Sequence, residues 1–197
     1  DDYAGICARL DGLVDMIELN ISCPNVKCGG MAFGIRPDSV LEVTRVSKEA
    51  LLHTPLLVKL SPNVENIAEN ARAAEKGGAD AVSLINTLTG MVIDIERRKP
   101  LLANVTGGVS GAGIRPIAVR MVWEVCKAVH IPVIGMGGIT CAEDALQFMM
   151  AGAAAVQVGT ANFTDTLAMP KIIDGLNRWL DAHGIADINE VCGTLQA

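Results

Sequence analysis

Short apolar runs alternate along this chain with longer stretches whose apolar residues recur at helical spacing, and this alternation constrains the fold most. The runs are rich in Val, Ile, Leu and Ala, which is typical of strands buried on both faces of a parallel sheet. Strands that alternate with helices predict an α/β fold. The predicted strands are residues 16–22, 56–61, 81–87, 132–136 and 155–159, and the predicted helices are residues 38–52, 64–76, 116–128, 142–151 and 169–183.

The composition excludes several classes of protein. Of the 197 residues, 50% are apolar and 19% are charged, so a disordered chain is excluded. No apolar run reaches the ~18 residues of a membrane span, and the first residues are acidic where a signal peptide would be basic. We therefore expect a single cytoplasmic domain over residues 1–197, with no membrane partner.

Charge and cysteine usage argue against two kinds of site. The net charge of −6 gives a nucleic-acid partner no general electrostatic support. The six cysteines include no C-x-x-C pair, and the three histidines lie far apart in the sequence. We therefore expect free thiols and no metal site.

Two glycine-rich strand ends decide between an open doubly wound sheet and a closed barrel. The fourth predicted strand runs into Gly135-Met136-Gly137-Gly138-Ile139, and the fifth runs into Gly159-Thr160. Glycine lets backbone N–H groups approach an anion closely, and barrels build their phosphate site from the loops after strands seven and eight. A dinucleotide-binding fold would instead carry G-x-G-x-x-G after its first strand, and the sequence has no such motif there.

This assignment makes the chain the last five strand–helix units of a (β/α)8 TIM barrel. The first predicted strand is then strand four. Because an open five-strand unit would leave its edges and one side of its core exposed, we expect three further units upstream of Asp1.

Polar residues at the ends of three predicted strands mark a candidate active site, because these ends face the active site in barrels. Asn20, Asn86 and Thr87 follow apolar runs, and Lys59 lies within one, at residues 56–60. A lysine is almost never fully buried without a partner. We interpret Lys59 as a cation beside an anionic or electron-accepting ligand, and a water-facing lysine on an edge strand is the alternative.

Two further segments invite a functional interpretation. Cys23 lies in the polar turn Ser22-Cys23-Pro24-Asn25, where a thiol can act as a base or nucleophile, although a lone cysteine is most often a small hydrophobe. Residues 90–113 contain no strand–helix unit and are predicted to form a long glycine-rich loop. Loops of that length are usually functional.

Six segments resemble class 1 dihydroorotate dehydrogenases, in the order and separation that this family has, from about Asp15 to the C-terminus. They are residues 18–27 (ELNISCPNVK), 58–62 (VKLSP), 86–87 (NT), 104–111 (NVTGGVSG), 135–138 (GMGG) and 159–160 (GT). The resemblance implies an FMN-containing (β/α)8 barrel that oxidises (S)-dihydroorotate to orotate in de novo pyrimidine (UMP) biosynthesis.

The resemblance also implies roles for individual residues. It implies that Cys23 is the base that removes the C5 proton of the substrate while hydride leaves C6 for flavin N5, and that Lys59 is the cation beside the flavin ring. It also implies that Asn20 contacts both flavin and substrate and that Asn86 and Thr87 hold the substrate. The residues implied to hold FMN, besides Asn20 and Lys59, are Ile85, Gly111, Gly137, Gly138, Gly159 and Thr160.

Within the family, the cysteine base resembles class 1, and residues 27–34 (KCGGMAFG) resemble its 1B branch. This branch implies a partner subunit that carries FAD and a [2Fe–2S] cluster and passes electrons to NAD⁺, in a heterotetramer around a homodimer of the FMN subunit. Ala112-Gly113 departs from the Pro-Ala that is usual in the family. The missing upstream units are implied to supply further flavin and substrate contacts.

Three alternatives stay open at this point. Two are related flavin barrels, namely the fumarate-linked class 1A enzyme and a barrel like that of dihydropyrimidine dehydrogenase. The third belongs to a different class, a phosphate-binding barrel isomerase or synthase without flavin. That enzyme would need a Glu or Asp base at a strand end, where this sequence has Asn, Cys and Lys.

Overall fold

The computed structural model describes residues 2–22 and 34–196 and contains every predicted strand and helix. The helices are α1 (Asp2–Leu10), α2 (Pro37–Glu49), α3 (Ile67–Lys76), α4 (Arg115–Cys126), α5 (Ala142–Met150), α6 (Ala161–Thr164) and α7 (Ala168–His183). The strands are β1 (Ile17–Asn20), β2 (Leu56–Lys59), β3 (Ala81–Leu84), β4 (Leu88–Gly90), β5 (Ile93–Asp94), β6 (Lys99–Pro100), β7 (Gly107–Val109), β8 (Val133–Met136) and β9 (Ala155–Gln157). None of these helices is both long and apolar enough to cross a membrane.

The five predicted strands form one parallel sheet in the order β1-β2-β3-β8-β9. The strands are shorter than predicted, mostly at their carboxyl ends, so that Ser22, Ser61, Asn86 and Thr87 follow them rather than belong to them. In a parallel sheet all carboxyl ends meet at one edge. The polar residues after β1, β2 and β3 therefore collect at that edge, next to the glycine-rich ends of β8 and β9.

The two faces of the sheet differ in character. On the outer face, Leu19, Val58 and Val82 join the helices in a single apolar core. On the inner face the strand register aligns Asn20 with Lys59, and Lys59 with Ser83. Alternation along each strand thus separates a helix-covered apolar face from a partly polar one, as the wall of a barrel requires.

The sheet is strongly curved towards its inner face. Gln157 Nε2 donates a hydrogen bond to Glu18 Oε2 over 2.8 Å, although Glu18 lies on β1 and Gln157 on β9, which are the two edges of the sheet. Two edge side chains can meet only where the strands between them curl round a common axis. The five units therefore have the curvature of a barrel wall.

Residues 90–113 differ from the prediction. The expectation of a loop without strands is wrong, because β4 pairs with β7 and β5 pairs with β6 in two small antiparallel sheets. These strands are only two or three residues long, and β4 and β7 contain glycine, so none of the four carries an alternating apolar pattern. We call residues 88–109 the excursion; it leaves the end of β3 and returns the chain to the strand ends at Ser110. Helix α1 was likewise not predicted.

Candidate active site

A cleft of about 360 Å³ lies at the carboxyl ends of β2, β3, β8 and β9. Its volume is in the range of about 300–1,000 Å³ that small-molecule sites occupy. A groove of about 940 Å³ lies on the outside among α2, α3 and α4, but it contains none of the predicted site residues. The predicted residues that line the cleft are Lys59, Ile85, Asn86, Thr87, Gly111, Gly137, Gly138, Gly159 and Thr160.

Glycines form one wall of the cleft, for two different reasons. Gly137 and Gly138 have φ of 127° and 78°, and a Cβ on Gly138 would lie 2.7 Å from the carbonyl oxygen of Gly111. Glycine is therefore needed there because two backbone segments approach closely. A Cβ on Gly159 would meet nothing within 4 Å. Packing does not require glycine at that position. Because Gly159 has no side chain, the space beside it stays open to the cleft.

A partly buried ion pair anchors the glycine segment after β8. Asp144 Oδ2 on α5 accepts hydrogen bonds from Thr140 N at 2.9 Å and Thr140 Oγ1 at 2.7 Å, and Asp144 Oδ1 lies 2.6 Å from Arg115 Nη1. Asp144 is only 4% exposed. Burial raises the pKa of its carboxyl, but the hydrogen bonds from Thr140 and the charge of Arg115 outweigh burial and hold the pKa below its usual value.

A second set of contacts joins the ends of β9 and β3 to the excursion. Thr160 Oγ1 donates to Ser110 Oγ over 2.9 Å. A Cβ on Gly108 would lie 2.7 Å from Thr87 Cβ, so the backbone of the excursion lies directly against Thr87. These contacts place Ser110 and Gly111 opposite Gly138 and complete the rim of the cleft.

Lys59 enters the cleft from its floor. β2 lies between β1 and β3, so the alternative of an edge-strand lysine facing water is wrong. Lys59 Nζ lies 3.5 Å from Glu18 Oε1, and the two side chains are 20% and 28% exposed. Glu18 and Lys59 are the only charged residues in the five strands of this sheet.

Asn20 and Asn86 are joined through Ser22. Asn86 Nδ2 donates to Ser22 O at 2.9 Å and to Ser22 Oγ at 2.8 Å, while Ser22 N and Oγ both donate to Asn20 Oδ1. This network ties the end of β1 to the end of β3. It fixes the chain immediately before Cys23, which itself lies outside the described residues. Asn20 does not line the cleft but is aligned with Lys59 in the sheet.

Glu18, Asp144 and Gln157 are among the residues of the site that sequence reasoning missed. Glu18 lies two residues before Asn20 and therefore on the same face of β1, which is a signal that could have found it. Asp144 follows Thr140 by one helical turn, so a local contact could have been anticipated. Gln157 carries no such signal, because its partner Glu18 is 139 residues away in the sequence.

The fold and cleft define a class of protein, the barrels that bind a ligand at the carboxyl ends of parallel strands with glycine-rich ends on the last two. A family model described as dihydroorotate dehydrogenase matches residues 1–180. The chain belongs to the dihydroorotate dehydrogenase family.

Curated relatives agree with this membership. The chain is 59% identical over its full length to a protein of Bacteroides fragilis and 54% identical over 99% of its length to one of Geotalea uraniireducens. Both relatives are named dihydroorotate dehydrogenase B (NAD(+)), catalytic subunit, and the chain spans 65% and 64% of their lengths.

The solved structure is that of a dihydroorotate dehydrogenase from Eimeria tenella in complex with ferulenol. It superposes with a TM-score of 0.84 over 98% of this chain and 57% of its own, at 22% sequence identity. This likeness confirms the predicted fold, a portion of a (β/α)8 barrel.

Proposed function

We propose that this chain forms the cofactor- and substrate-binding part of a dihydroorotate dehydrogenase that oxidises (S)-dihydroorotate to orotate in pyrimidine biosynthesis. The observation that carries the proposal is the meeting of Lys59 with two glycine-rich strand ends in one cleft, in a chain that belongs to this family. A cation can stabilise a flavin ring, which gains negative charge when it is reduced. The backbone N–H groups of a glycine-rich wall can bind a phosphate.

The residues of the cleft fit FMN. The open space beside Gly159 and the close backbone approach of Gly138 to Gly111 leave a wall formed largely of backbone, against which a phosphate and its ribityl chain can lie. Thr160 adds a hydroxyl at the same wall. The residues proposed to hold FMN are Asn20, Lys59, Ile85, Gly111, Gly137, Gly138, Gly159 and Thr160.

The chemistry is divided between the cofactor and this chain. When bound, FMN supplies at flavin N5 the acceptor for the hydride that leaves C6 of the substrate. The thiolate of Cys23 removes the proton from C5, and the C5–C6 double bond of orotate forms from the electrons of the broken C5–H bond. Asn86 and Thr87 hold the pyrimidine ring and its carboxylate, and Lys59 stabilises negative charge that develops at the ring system.

The electron acceptor is proposed to be NAD⁺, reached through a partner subunit. The relatives from Bacteroides fragilis and Geotalea uraniireducens are named as NAD(+) enzymes and as catalytic subunits, and a catalytic subunit implies a second one. The resemblance to the 1B branch assigns FAD and a [2Fe–2S] cluster to that partner, in a heterotetramer.

The test is the rate at which (S)-dihydroorotate reduces the flavin of the full-length protein under anaerobic stopped-flow conditions. We expect Cys23→Ser to slow this rate by about 10²–10⁴-fold and to move its pH dependence upward, because a hydroxyl gives up its proton less readily than a thiol. Cys28→Ser, five residues away, is the matched control and leaves the rate unchanged. Equal rates for Cys23→Ser and the wild type would remove Cys23 from the mechanism, and a flavin that dihydroorotate does not reduce would contradict the function.

A further inference from the structure

We propose that Glu18 is a positioning residue for Lys59. Its carboxylate is held by Gln157 from the opposite edge of the sheet, fixes the ammonium group at the floor of the cleft, and offsets part of its charge. The proposal rests on the proposed function, because its consequence concerns a flavin in this cleft.

The geometry places the Glu18 carboxylate between two different strands. Its Oε1 lies 3.5 Å from Lys59 Nζ on β2, and its Oε2 accepts a hydrogen bond from Gln157 Nε2 on β9 over 2.8 Å. The two carboxylate oxygens of Glu18 are therefore held by partners on two different strands. Because β1 and β9 are the two edges of the sheet, this restraint depends on the curvature of the barrel wall and not on local sequence.

The pairing offsets a cost of partial burial. The interior of a barrel is normally packed with Val, Ile and Leu, and a charge removed from water there is unfavourable unless it is paired. Glu18 and Lys59 are one acid and one base on adjacent strands, and both side chains are less than a third exposed. Each supplies the counter-charge that the other needs.

The distance between the two groups leaves Lys59 able to bind something else. A tight hydrogen bond between an ammonium and a carboxylate measures about 2.7–2.9 Å, whereas this pair is separated by 3.5 Å. An ammonium group has three donors. Glu18 therefore directs the Lys59 side chain without using its hydrogen-bonding capacity, and Lys59 remains part of the lining of the cleft.

The carboxylate has a second effect, which is electrostatic. Lys59 would favour a reduced, negatively charged flavin over an oxidised, neutral one, and the negative charge of Glu18, 3.5 Å from the Lys59 ammonium group, would oppose this preference. Neutralising Glu18 leaves the charge of Lys59 without its counter-charge. We expect Glu18→Gln to raise the affinity for reduced relative to oxidised flavin about tenfold, which for a two-electron couple raises the reduction potential by about 30 mV.

The experiment compares full-length, flavin-loaded proteins by equilibrium titration of the bound flavin against redox dyes, with thermal unfolding recorded alongside. Glu18→Gln is expected to raise the midpoint potential, and Glu18→Asp, which keeps the charge, is expected to stay close to the wild type. Glu42→Gln is the matched control. It removes the same charge from an exposed carboxylate on α2 that pairs with Arg45, and it leaves the potential unchanged.

The outcomes separate a positioning role from a structural one. If Glu18→Gln lowers the unfolding temperature but keeps the wild-type potential, Glu18 only supports the barrel and the proposal is overturned. If Glu18→Gln does not fold, Glu18→Met takes its place. It removes the same charge from a side chain of similar length, so a similar rise is expected, and an unchanged potential overturns the proposal. A full-length wild-type protein that binds no flavin overturns both this proposal and the proposed function.

Discussion

Two acid–base pairs lie beside the same cleft, and they are built differently. Asp144 and Arg115 are 2.6 Å apart with side chains 6% and 29% exposed, and Thr140 donates two further hydrogen bonds to the same carboxylate. Glu18 and Lys59 are 3.5 Å apart, and the lysine faces the cleft. In the first pair, both carboxylate oxygens of Asp144 have partners within the protein, and the pair holds a backbone segment in place. In the second pair, the Lys59 ammonium group keeps N–H donors available for a ligand.

Removal of Asp144 is expected to have the largest effect on stability. Asp144→Ala leaves the partly buried guanidinium of Arg115 without its partner and frees two donors of Thr140, which is expected to cost about 3–5 kcal/mol in the free energy of unfolding. Urea denaturation of the full-length protein measures this loss. A cost below about 1 kcal/mol would show that the pair does not anchor the segment after β8.

Removal of Lys59 is expected to affect chemistry far more than stability. Lys59→Met in the full-length protein should slow flavin reduction by dihydroorotate about 10²–10³-fold, while the free energy of unfolding changes by less than about 1.5 kcal/mol because the apolar stem is retained. Stopped-flow absorbance and urea denaturation check the two parts. A variant that loses stability but keeps its rate of flavin reduction would show that Lys59, like Arg115, supports the fold and not the chemistry.

Gly138 and Gly159 differ in the same way, with smaller expected effects: the first serves stability and the second serves ligand binding. Gly138→Ala is expected to destabilise the protein by about 1–3 kcal/mol, because φ is 78° and the new methyl group would lie 2.7 Å from the carbonyl oxygen of Gly111. Gly159→Leu should change stability by no more than about 0.5 kcal/mol, yet lower FMN affinity at least tenfold because its side chain occupies the open space.

Fluorescence titration of the full-length apoprotein with FMN measures that affinity, and urea denaturation measures the stability of both variants. Wild-type affinity in Gly159→Leu would mean that the open space beside Gly159 does not hold the cofactor.

The smallest expected effect is a dependence of stability on pH. The pKa of Asp144 is lowered in the folded protein, so its contribution is fully present above the unfolded value of about 3.9 and is lost as pH falls through the folded value. The difference in stability between wild type and Asp144→Asn should therefore be constant from pH 7 to pH 5 and shrink below pH 4. Urea denaturation across this range checks it, and a difference that grows on acidification would contradict the assigned direction.

The sequence was sufficient to predict the parts of the fold that depend on local pattern. The five strands, the five helices and the two glycine-rich ends follow from apolar periodicity and from glycine placement, and they lie where predicted to within a few residues. Lys59 was found because a charge interrupts the apolar run of a buried strand. The short strands of the excursion could not be predicted, since pairs such as Gly90 and Gly107 have no side chains to form a pattern.

The contacts across the site depend on curvature, which no local pattern encodes. The pairing of Glu18 with Gln157 requires five strands to curl together, and that of Asp144 with Arg115 requires α4 and α5 to pack at a fixed distance. The residues missed in the sequence are therefore those whose partners come from distant strands or helices. The roles of Cys23, Asn86 and Thr87 remain predictions that rest on the family resemblance.

The proposed function is tested most directly by an anaerobic titration of the purified full-length protein with (S)-dihydroorotate, followed in the visible flavin band and by orotate formation. We expect a yellow protein whose flavin is bleached by one equivalent of substrate, with one orotate formed for each flavin reduced. A colourless protein, or a flavin that stays oxidised with excess dihydroorotate, would contradict it.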